Sequence, residues 1–189
     1  MKKFKINFIN NSYRRFYSSN KKEIDNAVMR CLSEGQLTLR KDVWDLEKNI
    51  AKYVGVKYAA GVNSGTDALF LSLLALGIGK GDEVITVSNT FIATIQAIVH
   101  CGATPILIDV KKNEQMDEEQ IEGVITSKTK AIIPVHYTGA MCDMKKIMAI
   151  AKKYKLYVIE DACQGLGAVQ NGKKAGSFGI LSCFSFNTA

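Results

Sequence analysis

In the first third of the chain, apolar residues recur every three or four positions. This is the spacing that gives an α-helix one apolar face. The first set of such positions comprises Ile24, Ala27, Val28, Cys31 and Leu32, and the second comprises Val43, Leu46, Ile50 and Tyr53. The pattern predicts two amphipathic helices ahead of any sheet, with a separate polar N-terminal segment over residues 1–20.

From residue 58 onwards, short apolar runs alternate with segments of helical spacing. The runs that we predict as strands are 58–62, 83–87, 105–110, 131–135, 156–159 and 180–186. The segments between them that we predict as helical are 65–76, 91–101, 117–125 and 144–154. This alternation is typical of an α/β domain with a mostly parallel sheet. Because no Pro- or Gly-rich linker interrupts it, we expect one domain over residues 21–189.

Segments with polar or aromatic side chains directly follow four of the predicted strands. They are residues 63–67, 88–94, 136–139 and 161–164. In parallel sheets, ligands bind beyond the carboxyl ends of the strands, where chain segments can present N–H groups and polar side chains. The sequence therefore predicts one binding site that these four segments build together.

Composition narrows the choice of partners. The net charge is +7, but the lysines are spread along the chain and form no basic stripe interleaved with aromatic residues, so we expect no nucleic-acid partner. The five cysteines are far apart without a C-x-x-C pair, and the two histidines are widely separated, so we predict neither disulfides nor a metal site. No apolar run is long enough to span a bilayer, and we expect a cytoplasmic protein.

Ser64, Gly65, Thr66 and Asp67 open a predicted helix immediately after a predicted strand. The unpaired N–H groups and the dipole of a helix N-terminus attract anions, and the hydroxyl groups add donors, so a phosphate would fit here. Capping of the helix by Ser64 or Thr66 explains the same residues equally well.

Asp161 ends an apolar run that we expect to be buried. A buried carboxylate needs a cationic partner, since burying an unpaired charge costs several kcal/mol. The protonated ring nitrogen of pyridoxal 5'-phosphate (PLP) would be such a partner and would keep the ring an electron sink. The alternative is an ordinary loop or helix-capping aspartate.

Three further side chains have both a cofactor interpretation and a structural one. Phe91 could stack on a flat ring or pack in the core. Gln164 could hydrogen-bond the phenolic oxygen of such a ring. Ser185 could bind the same phosphate as Thr66 or hydrogen-bond the backbone of its own strand.

Two other features have structural interpretations. Residues 167–174 match the phosphate-loop pattern until Lys174 replaces the Ser or Thr that would bind Mg²⁺, so we predict a turn there. His136, which follows a predicted strand, is interpreted as a structural or pocket-lining group rather than a catalytic base.

Taken together, these motifs resemble the DegT/DnrJ/StrS family of PLP-dependent, fold-type-I nucleotide-sugar aminotransferases over residues 20–189. The matching stretches are residues 61–69, 90–94, 133–137, 160–164 and 184–186. The resemblance implies an α/β fold, the three-layer large domain of fold-type-I PLP-dependent transferases, with a mostly parallel sheet.

The resemblance also implies roles for individual residues. Gly65, Thr66, Asp67 and Ser185 would hold the phosphate of PLP or PMP, the amine form of the cofactor. Phe91 would stack on the ring, Asp161 would bind its nitrogen, and Gln164 its phenolic oxygen. No metal is implied.

In the family, the lysine that forms the Schiff base would come just after Ala189. We therefore expect no catalytic residue in residues 1–189, an incomplete large domain over residues 21–189, no small C-terminal domain, and a chain that is inactive alone. A histidine at that position would indicate a PMP-dependent sugar dehydratase. A third alternative is a non-catalytic remnant or regulatory protein with the same fold.

For the whole protein, the resemblance implies transfer of an amino group from an amino acid, with glutamate the expected donor, to a nucleotide-linked keto-sugar. Relatives act in the biosynthesis of cell-surface polysaccharides and related sugars. They are homodimers whose pockets draw residues from both subunits.

Overall fold

The computed structural model describes residues 10–35, 38 and 40–187. Residues 1–9 of the predicted N-terminal segment therefore lie outside the described part. Contacts within the chain divide it into two units, residues 1–45 and 46–189. No helix within the described ranges is both long and apolar enough to cross a membrane.

The first unit contains helix α1 (Asn10–Glu34) and the start of helix α2 (Lys41–Val54). Arg40, only 8% exposed, joins them: its guanidinium pairs with Glu34 on α1 and Asp42 on α2 and donates to the carbonyl oxygen of Cys31. Both predicted helices are confirmed. The first begins ten residues before the polar segment was expected to end, and its added part carries the exposed aromatic residues Tyr13, Phe16 and Tyr17 at helical spacing.

The second unit is built on a five-stranded parallel sheet. Its strands are β1 (Glu83–Val87), β2 (Thr104–Ile108), β3 (Thr129–Ile132), β4 (Tyr157–Asp161) and β7 (Leu181–Cys183). They lie in the order β2-β1-β3-β4-β7. Pro105 lies in the edge strand β2, where the missing N–H of proline is tolerated.

Three helices and several short elements lie before and between the strands. The helices are α3 (Gly65–Ala75), α4 (Ile92–His100) and α5 (Met144–Tyr154). The short elements are three 3₁₀ turns, at Glu118–Gln120, Glu122–Val124 and Tyr137–Gly139, and a hairpin of β5 (Val169–Gln170) and β6 (Lys173–Lys174).

Two apolar clusters fill the two faces of the sheet, since successive side chains of a strand point to opposite sides. Val84 belongs to the cluster with α3 and α4, whereas Ile85 belongs to the cluster with α5. Val158 and Ile159 divide between the clusters in the same way. The helices therefore cover both faces, which confirms the predicted three-layer α/β fold.

The strand predicted at 58–62 is wrong. Tyr58 is 75% exposed, and the N–H of Gly61 donates to the Glu47 carboxylate at 2.7 Å instead of to a neighbouring strand. Within the described residues this segment pairs with no strand, and an apolar run without a ladder partner does not form one.

Three other elements differ in type or length from the prediction, each for a reason in its local structure. The predicted helix 117–125 is two 3₁₀ turns, in a segment where Gly123 disfavours a continuous helix. β3 ends at Ile132 rather than at residue 135, because Pro134 cannot donate to the ladder. β7 covers only three residues of the run 180–186, because β4 ends opposite Cys183.

Candidate cofactor site

A cavity of about 240 Å³ lies at the carboxyl ends of the central strands. Segments that follow β1, β3, β4 and β7 and the N-terminus of α3 form its wall, as predicted for the four polar segments. The predicted cofactor residues that line it are Gly65, Thr66, Phe91, Asp161, Gln164 and Ser185. Asp67 is not part of the lining.

The N-terminus of α3 faces this cavity. Ser64 caps the helix, and its Oγ accepts a hydrogen bond from the N–H of Asp67 at 3.1 Å. The structural interpretation of Ser64 is therefore confirmed, but it leaves the N–H groups of Gly65 and Thr66 without a partner within the helix. Two donors and the positive end of the helix dipole remain for an anion.

Ser185 packs directly against the start of α3. A Cβ atom added to Gly65 would lie 3.1 Å from the Cβ of Ser185 and 2.8 Å from the Sγ of Cys163. The Ser185 Oγ accepts from the N–H of Asn187 at 3.1 Å, which leaves its hydroxyl hydrogen available. Three donors from two distant segments, the N–H groups of Gly65 and Thr66 and this hydroxyl, thus come together at one end of the cavity.

Asp161 lies in the cavity wall and is 6% exposed. Its Oδ2 accepts from the Oγ1 of Thr94 at 2.7 Å and its Oδ1 from the N–H of Cys163 at 3.3 Å. Among the residues that the structure describes, no Lys, Arg or His pairs with this carboxylate. A buried anion with only neutral donors around it fits a cationic group in the cavity.

Phe91 and Gln164 complete the wall. Phe91 precedes α4 and is 68% exposed, so its ring is not part of the apolar core. The Oε1 of Gln164 accepts from the N–H of Thr138 at 2.7 Å, with Thr138 held at a φ of 55°. With its oxygen engaged, the amide of Gln164 presents its NH₂ group as a donor.

Two buried groups beside the cavity, Glu160 and His136, are hydrogen-bonded to each other, and the role of Glu160 was missed in the sequence. The Glu160 carboxylate accepts from the Nε2 of His136 at 3.1 Å and from the N–H groups of Gly176, Phe178 and Gly179 at 2.7–2.8 Å. The Nδ1 of His136 accepts from the N–H of Cys142 at 3.4 Å, which leaves Nε2 as the ring nitrogen that donates to Glu160.

Burial alone would raise the pKa of Glu160, but the hydrogen bonds from His136 and the three N–H groups lower it below its usual range. Only the position of Glu160 next to Asp161 could have indicated a role. His136 lines the cavity and is fully buried, which confirms its structural and pocket-lining interpretation.

Cys163 also lines the cavity. Burial, with the neighbouring Asp161 carboxylate, strongly raises the pKa of its thiol. The thiol is therefore neutral, and it acts as a small packing group rather than a nucleophile. The described residues contain no group of three or more His, Cys, Asp or Glu side chains that could hold a metal ion.

Comparison with known proteins agrees with this geometry. The model of the DegT/DnrJ/EryC1/StrS aminotransferase family matches residues 18–189. The chain is 51% identical to dTDP-3-amino-3,6-dideoxy-alpha-D-galactopyranose transaminase of Aneurinibacillus thermoaerophilus, over 87% of this chain and 46% of that protein. It is 44% identical to GDP-perosamine synthase of Caulobacter vibrioides, over 84% of this chain and 43% of that protein. It therefore spans less than half the length of these relatives.

Among solved structures, NtdA of Bacillus subtilis, with bound cofactor PMP, superposes with a TM-score of 0.79 at 41% identity, over 84% of this chain and 37% of that one. The structural neighbours are PLP-dependent aminotransferases of fold type I, which confirms the predicted fold class. Sequence, fold and cavity agree that the chain belongs to the DegT/DnrJ/EryC1/StrS aminotransferase family.

Proposed function

We propose that these residues are the cofactor-binding part of a PLP-dependent aminotransferase, which transfers an amino group from an amino acid to a nucleotide-linked keto-sugar. The observation that carries the proposal is the buried Asp161 carboxylate, which has no cationic partner among the described residues and faces a cavity that ends at the N-terminus of α3. One anion that needs a cation and one helix end that attracts an anion match the two ends of pyridoxal phosphate.

Each predicted residue then has a role in holding the cofactor. The N–H groups of Gly65 and Thr66 and the hydroxyl of Ser185 would donate to the phosphate. Asp67 would contribute from outside the cavity lining, because the bond from its N–H to Ser64 closes the first turn of α3 and so holds the N–H groups of Gly65 and Thr66 towards the phosphate.

The other three residues would fix the ring. Phe91 would cover one face of it, and the NH₂ group of Gln164 would donate to the phenolic oxygen. Asp161 would accept the N–H of the ring nitrogen and so keep that proton in place. When bound, the cofactor supplies an electron sink for the carbon that loses or gains the amino group.

The substrate class is inferred from the relatives. The two sequence relatives named above act on sugars with different nucleotides, dTDP and GDP, so we propose a nucleotide-linked keto-sugar without choosing the nucleotide. We also propose glutamate as the donor, a homodimer, and a role in polysaccharide or related sugar biosynthesis.

We further propose that residues 21–189 are a part of the large domain of a longer enzyme. The share of each relative that this chain covers, 46% and 43%, supports this. The lysine that would link the cofactor covalently is then expected just after Ala189.

The deciding experiment is an absorbance spectrum of the full-length gene product with added PLP, before and after borohydride reduction. We expect a band near the visible edge and a cofactor that reduction fixes permanently to the protein. Cofactor that binds but is washed away after reduction would favour a PMP-dependent dehydratase. Failure to bind either PLP or PMP would contradict the proposal and favour a non-catalytic protein.

A further inference from the structure

Two threonines form a hydrogen-bonded chain that ends on Asp161. The Oγ1 atoms of Thr90 and Thr94 are 2.8 Å apart, and the Oγ1 of Thr94 donates to the Oδ2 of Asp161 at 2.7 Å. Thr94 is fully buried and Asp161 nearly so. The contact joins the first turn of α4 to the end of β4, 67 residues further along the chain.

The chain of hydroxyl groups has only one possible direction when Asp161 is ionised. A threonine hydroxyl has a single hydrogen, and Thr94 gives it to the carboxylate. Thr94 must then accept the hydrogen of Thr90. Both dipoles point at the carboxylate, and hydrogen bonds of this kind to an ionised group are about twice as strong as neutral ones.

The Thr94 hydroxyl contacts the Thr90 side chain and Asp161. Together with the N–H of Cys163 on Oδ1, it places one donor on each oxygen of the carboxylate and so fixes the rotation of the group.

We propose that Thr94 is a positioning residue: through its hydrogen bond to Oδ2, itself supported by Thr90, it aims the Asp161 carboxylate at the cationic nitrogen of the cofactor ring. The inference rests on the proposed function, since it concerns the same cavity. It adds two residues that also line the cavity, Thr90 and Thr94, and assigns their effect to the hydrogen-bonded chain that ends on Asp161.

The test compares Thr94→Val, which keeps the shape but removes the hydroxyl, with Thr94→Ser, which keeps the hydroxyl. Thr86→Val is the matched control, because the Thr86 hydroxyl is equally buried but donates to the carbonyl oxygen of Ile133, outside the cavity lining. The affinity of the full-length gene product for PMP would be measured by fluorescence titration, with thermal unfolding measured alongside. PMP binds without a covalent link, so the result does not depend on the lysine.

We expect Thr94→Val to weaken PMP binding by about tenfold or more, as for loss of a hydrogen bond to a charged group. Thr94→Ser is expected to restore most of the affinity, and Thr86→Val to lower only the unfolding temperature. Equal PMP affinity in the wild type and in Thr94→Val would overturn the positioning role but leave the proposed function intact. A wild-type protein that binds no PMP would overturn both.

Discussion

Gly65 is a position in the cavity wall where there is no room for a larger side chain. Its α-carbon faces the Cys163 thiol and the Ser185 side chain, which a Cβ atom would meet at 2.8 and 3.1 Å. We expect Gly65→Ala to lower the free energy of unfolding by about 1–3 kcal/mol, because a Cβ atom at these distances forces the Cys163 and Ser185 side chains to shift.

Chemical denaturation of the variant would measure this cost. Gly123→Ala is the matched control, since a Cβ atom there meets nothing within 4 Å and the φ angle is not positive. The control is expected to be neutral or slightly stabilising. Equal stability of the two variants would show that the contact at Gly65 relaxes freely.

A substitution of Phe91 can distinguish its two interpretations, stacking on the cofactor ring and packing in the apolar core. Because its ring is 68% exposed, we expect Phe91→Ala to change the free energy of unfolding by less than about 0.5 kcal/mol. Affinity for the cofactor should fall severalfold, since one face of the ring loses its cover. Calorimetry and cofactor titration on the same variant would check both.

Phe70 provides the opposite control. It lies on α3, where its half-buried side chain packs against the apolar cluster that α3 and α4 share, and its ring contacts that of His100 edge to face. Phe70→Ala is expected to cost about 2 kcal/mol or more of stability with no direct effect on the cofactor. If Phe91→Ala lowered the free energy of unfolding as much as Phe70→Ala, Phe91 would have to be interpreted as a packing residue.

Among the helices and strands, apolar spacing correctly predicted the elements whose bounds depend on their own residues. β1 and α5 begin and end where their patterns do, and residues 167–174 form the predicted turn, as a hairpin with Asn171 and Gly172 at positive φ. The run 58–62 has a strand-like composition too, but strand formation depends on a partner that its own sequence does not specify.

The site was predictable to the extent that single residues carry a chemical signature. The topology of a parallel sheet explains why Asp161, Phe91 and Ser185 line one cavity, because each lies at or beyond the carboxyl end of a strand at the same edge. The bond from Thr94 to Asp161 and that from His136 to Glu160 were not predictable. They depend on how elements far apart in sequence are packed, which residue spacing does not report.

The Glu160 side chain links the loop after β6 to strand β4. Its carboxylate accepts three hydrogen bonds from backbone N–H groups of that loop and one from His136. Each of these four bonds therefore requires an oxygen atom of the Glu160 side chain as its acceptor. We expect Glu160→Gln to cost about 3 kcal/mol, because the new NH₂ group must face donors whichever way the amide turns.

Urea unfolding of Glu160→Gln would measure the cost, and the exposed Glu122→Gln serves as the control with less than about 0.5 kcal/mol expected. If the two variants were equally stable, the loop would not depend on the carboxylate.

For the molecule as a whole, Glu118 links stability to pH. It is 2% exposed and accepts from Lys111 at 2.5 Å and Lys146 at 2.8 Å. Burial would raise its pKa, but the hydrogen bonds from the two lysines outweigh it and lower the pKa to about 2.

Because the folded pKa is below the ordinary value of 4.5, the contribution of Glu118 is complete above that pH and is lost as the pH falls towards 2. We expect Glu118→Gln to remove roughly 2 kcal/mol at pH 7 and progressively less below pH 4.5. Unfolding curves across this range would show the difference shrink. The neighbouring Glu119→Gln, whose side chain is 76% exposed, should follow the wild type at every pH.

The spread of the cavity wall along the chain also has a consequence for the order of folding. Its residues run from Ser64 to Asn187 on five separate segments, beside a sheet whose parallel strands pair only across the elements that connect them. Such contacts form only after the intervening loops have closed. During synthesis on a ribosome, the helix end at Gly65 would emerge long before the serine that faces it, so a nascent chain could hold the helix but not the cofactor. Cofactor capture would therefore come last and would stabilise only chains that had already folded.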